Sequence, residues 1–356
     1  MLRKLMTAAA LLTLALGVGS AYAQDPLKVG FINVGPKNDG GWTQGHWDGA
    51  QELKKALGDN VEIAFIEDIK EGADSERAIE ALARDGNDLI FTTSFGFMDP
   101  TLKVAERFPD VKFEHATGFK SSENVTNYNA RFYQGRYITG QIAAKMSKAG
   151  VAGYIVSIPI PEVIMGINSF MLGAQSVNPD FKLKIVWVFT WMDPAKEADA
   201  AKALFDQGVD IITQHTDSTA PLQIAQERGL LGFGQAHDMY HAAPKAQLTA
   251  IVDKWGPYYI ARANAVLDGT WKSESGWDGL KEGTVHMSDY TNMPEEVAAA
   301  ARDIEAKISS GEFHPFTGPI FDQEGVERYA EGVVIPDGEL LGMDWYVQGV
   351  DGQVPQ

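Results

Sequence analysis

Leu27-Lys28-Val29-Gly30-Phe31-Ile32-Asn33-Val34-Gly35-Pro36-Lys37-Asn38-Asp39-Gly40-Gly41-Trp42-Thr43 is an apolar, β-rich run that breaks on glycines and delivers an indole to the start of a helical pattern, Gln44–Leu57. A strand with no polar face reads as one buried on both sides, which is the habit of parallel sheets. The unit then repeats. Strand patterns over Val61–Ile66, Asp88–Thr93 and Val111–Ala116 alternate with helical ones over Asp74–Arg84 and Asp99–Phe108, which predicts βαβ units and a doubly wound sheet. After Thr126–Ala130 and a long helical stretch, Phe132–Ser147, the rhythm restarts. Val151–Ser157, Leu183–Thr190, Val209–Thr216 and Gly229–Gly234 read as strands; Glu162–Ser176, Pro194–Gln207 and Pro221–Arg228 read as helices. Asp193-Pro194 is a strong helix start, an N-cap acceptor followed by proline at the first helical position.

Leu248–Asp253 and Thr284–Ser288 look like isolated strands around a helix at Gly256–Leu267, with too little chain for a third domain. The expected architecture is therefore α/β with two doubly wound parallel-sheet lobes: residues 24–128 with about 248–286 in lobe one, and 129–247 with about 287–356 in lobe two. Several crossovers between them would serve as a hinge.

Arg3 and Lys4, the apolar run from Leu5 to about Val18 and the motif Ala21-Tyr22-Ala23 read as a signal peptide over residues 1–23. The mature chain is expected to begin at Gln24. With no cysteine in the sequence, neither a disulfide nor a thiol-linked lipid is expected, which fits a freely diffusing periplasmic protein. The formal charge is -18, becoming -20 once Arg3 and Lys4 are removed, and this argues against nucleic acid and anionic membrane surfaces as partners.

In open α/β sheets ligands bind beyond the carboxyl ends of the strands. The residues there are Asn33 to Thr43, Thr93 to Phe97, Trp191, Asp193, Gln214 to Asp217 and Gln235 to Asp238. Trp42 and Trp191 occupy like positions on the two lobes, so closure would bring two indoles to opposite faces of one flat ring. Such stacking is worth about 1–3 kcal/mol per contact, and two faces with a few hydrogen bonds reach micromolar affinity, about -8 kcal/mol. Asn33, Asp217 and Asp238 are candidates for the ring edge, and Phe95, Thr43 and Thr117 complete the set. Ordinary alternatives stand beside these: Trp42 packed under its own loop, Asn33 as a strand-end turn, Asp217 as a helix cap, Asp238 as a solvated loop carboxylate.

Enzyme motifs are weak. Gly232-Phe233-Gly234-Gln235-Ala236-His237 starts like a dinucleotide fingerprint but lacks its third glycine, and neither a phosphate loop nor a nucleophile elbow is present. His237 and His241 have no evident third metal ligand. Neither cofactor, metal nor catalysis is expected.

The leader, Leu27–Val34, Gly35–Thr43, Tyr133–Ala144, Asp210–Asp217 and Gly269–Gly283 together resemble the basic membrane protein family of ABC-transporter solute receptors, which includes the purine nucleoside receptors. The resemblance implies a type I periplasmic binding protein, a hinge of three crossovers, an ABC permease as partner, and a purine or nucleoside sandwiched between aromatics that fall on Trp42 and Trp191. It also exposes departures. The family's lipid-bearing cysteine is missing; the lysine and aspartate that hold ribose in its nucleoside receptors fall on Asp253 and Ala236; and an acidic residue and an asparagine fall on Asn33 and Thr43. The expectation is a monomeric periplasmic receptor for a purine, foremost adenine, with a nucleoside or a sugar as the alternative in the same fold and a nucleoside-acting enzyme as the outsider.

Overall fold

The computed structural model describes residues 25–355, so the expected leader, 1–23, lies outside the described residues. Lobe one is a parallel sheet of β1 (Leu27–Ile32), β2 (Val61–Ile66), β3 (Leu89–Thr92), β4 (Lys112–Ala116), β5 (Val125–Ala130) and β11 (Gly276–Asp278), in the order β11-β5-β4-β3-β1-β2. Between its strands run α1 (Trp42–Leu57), α2 (Ala73–Arg84) and α3 (Met98–Ala105). The central strands are buried because both faces are covered, even where β4 carries Glu114 and His115. Phe31 stacks on Phe91 at 4.9 Å on one face, while Ile32, Ile90 and Phe113 pack with Ile79 and Leu82 on the other.

Lobe two holds β6 (Val151–Val156), β7 (Lys182–Trp187), β8 (Ile211–His215), β9 (Leu231–Ala236), β10 (Gln247–Asp253), β12 (Val285–Met287) and β15 (Val350–Asp351), in the order β12-β10-β9-β8-β6-β7-β15. All neighbours are parallel except β12 against β10. Its helices are α4 (Phe132–Met146), α5 (Pro161–Gln175), α6 (Pro194–Asp206), α7 (Ala220–Glu227) and α9 (Glu295–Ser310). α8 (Gly256–Leu267) packs on α1 in lobe one. A two-stranded ribbon, β13 (Ile320–Phe321) and β14 (Glu327–Tyr329), and the short α10 (Asp337–Leu340) precede β15.

The chain crosses between the sheets three times: from β5 to α4, from β10 to α8, and from β11 to β12. One expected boundary is corrected. Leu248–Asp253 belongs to lobe two, not lobe one, because β10 pairs in parallel with β9 through Ala250↔Gly234 and Val252↔Ala236. The segment in lobe one is shorter, and Val285–Met287 is back in lobe two, where it pairs with β10. An isolated strand pattern carries no information about which sheet receives it, and here β10 extends a parallel run that β9 leaves open.

α4 packs on α5 with the two backbones touching at glycines. A Cβ at Gly140 would lie 2.0 Å from the Phe170 carbonyl oxygen, and one at Gly173 would lie 2.1 Å from that of Tyr137. Gly140→Ala is expected to cost about 1–3 kcal/mol in urea unfolding, since backbone cannot yield as a side chain can. Gly338→Ala, whose added methyl meets nothing, should leave stability unchanged or slightly higher.

Candidate ligand-binding cleft

The cleft begins at the α1 N-terminus. Gly40 takes φ +90°, which turns the chain so that the Asp39 carboxylate folds back over the helix. It accepts the N–H groups of Gly41 (2.9 Å), Thr43 (2.8 Å) and Gln44 (3.0 Å), which a helix start otherwise leaves unpaired. Trp42 is thereby fixed as the first helical residue. Its indole N–H donates to the Thr93 carbonyl at 2.6 Å, and its ring edge packs against His46, Phe132 and Trp255. Trp42 is half-buried and does not lie under its own loop: its support comes from β3's end and the hinge aromatics.

On lobe two, Asp193 caps α6 through the Lys196 N–H at 3.1 Å, with Pro194 next, as the sequence predicts. Buried Glu197 accepts the Asp193 N–H (2.9 Å) and the Ser218 hydroxyl (2.7 Å), tying together the two loops that carry Trp191 and Asp217. The Asp217 N–H completes the brace by donating to the Trp191 carbonyl at 3.1 Å. The lobes meet across this frame. Trp191 donates its indole N–H to Glu71 of lobe one at 3.1 Å, and Asp48 of α1 pairs with His237 at 3.0 Å. Asp217 lies so near α1 that a Cβ at Gly41 would come within 2.7 Å of its carbonyl oxygen.

Between the lobes is a pocket of about 360 Å³, counting its open mouth, lined from lobe one by Val34, Trp42, Ser94, Phe95 and Thr117 and from lobe two by Glu162, Trp191, His215, Asp217 and Gln235. Aromatic walls with a few polar groups are the lining that small-molecule sites show. Of the residues singled out in the sequence, Trp42, Trp191, Phe95, Thr117 and Asp217 share it. Three do not. Asn33 is spent on the strand ends, donating to the Ile66 carbonyl (3.1 Å) and accepting the Thr93 hydroxyl (2.8 Å). The Thr43 hydroxyl is buried and accepts the Gly35 N–H at 3.2 Å. Asp238 closes a turn on the Tyr240 N–H and accepts from Gln247 at 2.7 Å. In each case the local role, turn or brace, wins over the cleft.

Glu162, His215 and Gln235 were not singled out as site residues. His215 and Gln235 fall within the strand-end stretches that were, but Glu162 opens a helix after Pro161 and only its place past β6 could have flagged it. Backbone strain marks the same rim. Asp68, Thr117, Phe189 and Ala236 have φ between +52° and +63° and stand at or just beyond the ends of β2, β4, β7 and β9. For a β-branched residue such as Thr117 this conformation is costly, and such cost collects at functional sites. Among the described residues no group of three or more His, Cys, Asp or Glu is gathered that could hold a metal.

Burial governs the electrostatics. It pushes the Asp217 carboxyl well above the ordinary 3.8, and Asp39, Glu197 and Asp253 push the same way, while the backbone N–H of Trp42 opposes them. Asp39 is also raised by burial, against its three N–H donors. His215 is lowered by burial, which Glu162 opposes.

Two sheets joined by three crossings, with a cleft at their strand ends, are the architecture of two-lobed ligand-binding proteins. The family model for the PnrA-like ABC transporter substrate-binding proteins matches residues 27–314, and the chain belongs to that family, whose members present a small molecule to a permease from outside the cytoplasm. Over 338 residues it is 63% identical to a purine-binding protein of Brucella abortus (strain 2308), covering 95% of this chain and 97% of that protein. Over the same length it is 32% identical to a putative ABC transporter glucose-binding protein of Haloferax volcanii, covering 95% and 83%. A solved solute-binding protein of an ABC transporter system from Aeropyrum pernix K1 superposes with a TM-score of 0.70 at 21% identity, covering 81% of this chain and 93% of that one, and so shares the fold.

The raised Asp217 pKa has a direction in stability. A carboxyl that holds its proton more tightly when folded favours the native state at low pH, and that contribution is lost as pH rises through the native pKa. Asp217→Asn should therefore melt at a higher temperature than the parent at pH 8, because ionising a carboxyl whose native pKa is raised costs the parent about 1.4 kcal/mol for each tenfold loss of acidity on folding. The gap should close as pH falls towards 4, and thermal melts across that range check it.

Proposed function

We propose that this protein is the periplasmic receptor of an ABC uptake system for a purine, foremost free adenine, which it binds as a monomer between Trp42 and Trp191 and hands unchanged to the permease. The observation that carries the reading is the pocket itself: one indole from each lobe and a polar wall at one side, in a chain 63% identical to a purine-binding protein. Neither lobe alone can cover both faces of a ring, so binding is coupled to closure.

The base is preferred to the nucleoside because a buried ribose needs partners for each hydroxyl, at about 1–3 kcal/mol for one left unpaired. Asp253 and Ala236, on which the resemblance puts the ribose-holding residues of the nucleoside receptors, are not among the residues lining the pocket. The 32% identical glucose-binding relative favours a second reading, in which the indoles stack on a pyranose.

Calorimetric titration separates these. Adenine is expected to bind at micromolar strength or better and more tightly than adenosine or glucose. Trp42→Ala and Trp191→Ala should each weaken adenine binding by about 5–150-fold, the range of one lost stacking face. Adenosine binding more tightly than adenine would overturn the base preference, and glucose binding more tightly than either would replace the purine reading by the sugar one.

A further inference from the structure

The lobe-two wall of the cleft carries polar atoms for which the fold supplies no partner. Glu162 stands in the first turn of α5 and His215 ends β8; both line the pocket, and Glu162 Oε2 and His215 Nδ1 are buried without a hydrogen bond. His215 is 6% exposed, so bulk water does not serve it. Folded proteins pair nearly all such atoms, and those left over in a ligand cleft are offered to a ligand.

Neighbouring residues fix what each atom offers. His215 Nε2 lies 3.6 Å from Glu162 Oε1. Burial disfavours the charged imidazole, and in the neutral ring the single hydrogen belongs on the nitrogen that faces the carboxylate. Nδ1 is therefore a bare acceptor. Glu162 Oε2 is a second one. Gln235 is oriented from behind by fully buried Arg136, whose Nη1 donates to the Gln214 carbonyl at 2.9 Å and whose Nη2 donates to Gln235 Oε1. A guanidinium has no acceptor, so the amide oxygen is consumed and the Gln235 NH₂ is left to donate into the pocket.

We propose that Glu162, His215 and Gln235 form the wall that reads the ligand's edge and selects a purine bearing an amino group beside a ring nitrogen. The two hydrogens of such an amine satisfy Glu162 and His215, and the adjacent nitrogen accepts from Gln235. A carbonyl in the amine's place sets oxygen against two acceptors, and a hydrogen there leaves both unpaired. This inference rests on the purine reading and adds to it the residues that choose among purines.

The test is calorimetry with adenine, hypoxanthine and unsubstituted purine, on the parent protein and on Glu162→Gln and Gln235→Glu. The parent should bind adenine at least tenfold more tightly than hypoxanthine or purine. Glu162→Gln, which puts a donor beside an acceptor, should weaken adenine at least tenfold and narrow its lead over hypoxanthine; Gln235→Glu should weaken adenine similarly. Equal binding of all three bases by the parent, or adenine affinity unchanged in both variants, would overturn the wall while leaving purine binding intact. Should the variants fail to fold, the parent's ranking of the three bases decides alone. A parent that binds none of them removes the purine reading, and the wall with it.

Discussion

The Asp39 carboxylate holds the cleft together from one end. A helix that begins at a lobe boundary must satisfy its first N–H groups without help from the preceding turn, and α1 does so with one buried carboxylate folded back on Gly40. Everything nearby inherits that geometry. Trp42 is placed at the first helical position with its indole pinned to the end of β3, and Gly41, bare of a side chain, lets the Asp217 backbone of the other lobe approach. The two lobes therefore meet at a helix N-terminus, a backbone site that favours negative charge.

That favour is needed, because the cleft is crowded with acids. Asp39, Glu197 and Asp217 all feel burial as a push towards the protonated form, and Asp217 also feels the other two. Closing lobes on so many acceptors is unfavourable unless something supplies hydrogens. Within lobe two, Ser218 and backbone N–H groups do so for Glu197; at Glu162 Oε2 and His215 Nδ1 the fold supplies none. On the proposed reading, a ligand rich in N–H groups would complete the arrangement, tying affinity to closure and making the empty closed form the costly one.

Much of this was legible in the sequence, and what was not has identifiable causes. Apolar strands alternating with amphipathic helices give a doubly wound sheet without further information, and the rule that ligands sit beyond strand ends led to Trp42, Phe95, Trp191 and Asp217. The partner sheet of Leu248–Asp253 was not legible, because a strand's own residues do not encode which lobe has room for it. Asn33, Thr43 and Asp238 stand at strand ends too, yet each was taken by a backbone group within reach, at Ile66, Gly35 and Tyr240. Glu162 was hidden for the converse reason: an acid in the first turn of a helix usually does no more than complement the dipole, and only the folded chain shows that its Oε2 is unpartnered.

The central claim is positional: one ring, two indoles, and a lobe-two wall that reads its edge. A crystal structure of the protein grown with adenine measures this directly. Flat density between Trp42 and Trp191, with the amine within hydrogen-bond reach of Glu162 Oε2 and His215 Nδ1, is the result the account predicts. Adenine bound elsewhere, or lying in the cleft with its amine turned away from that wall, would contradict it.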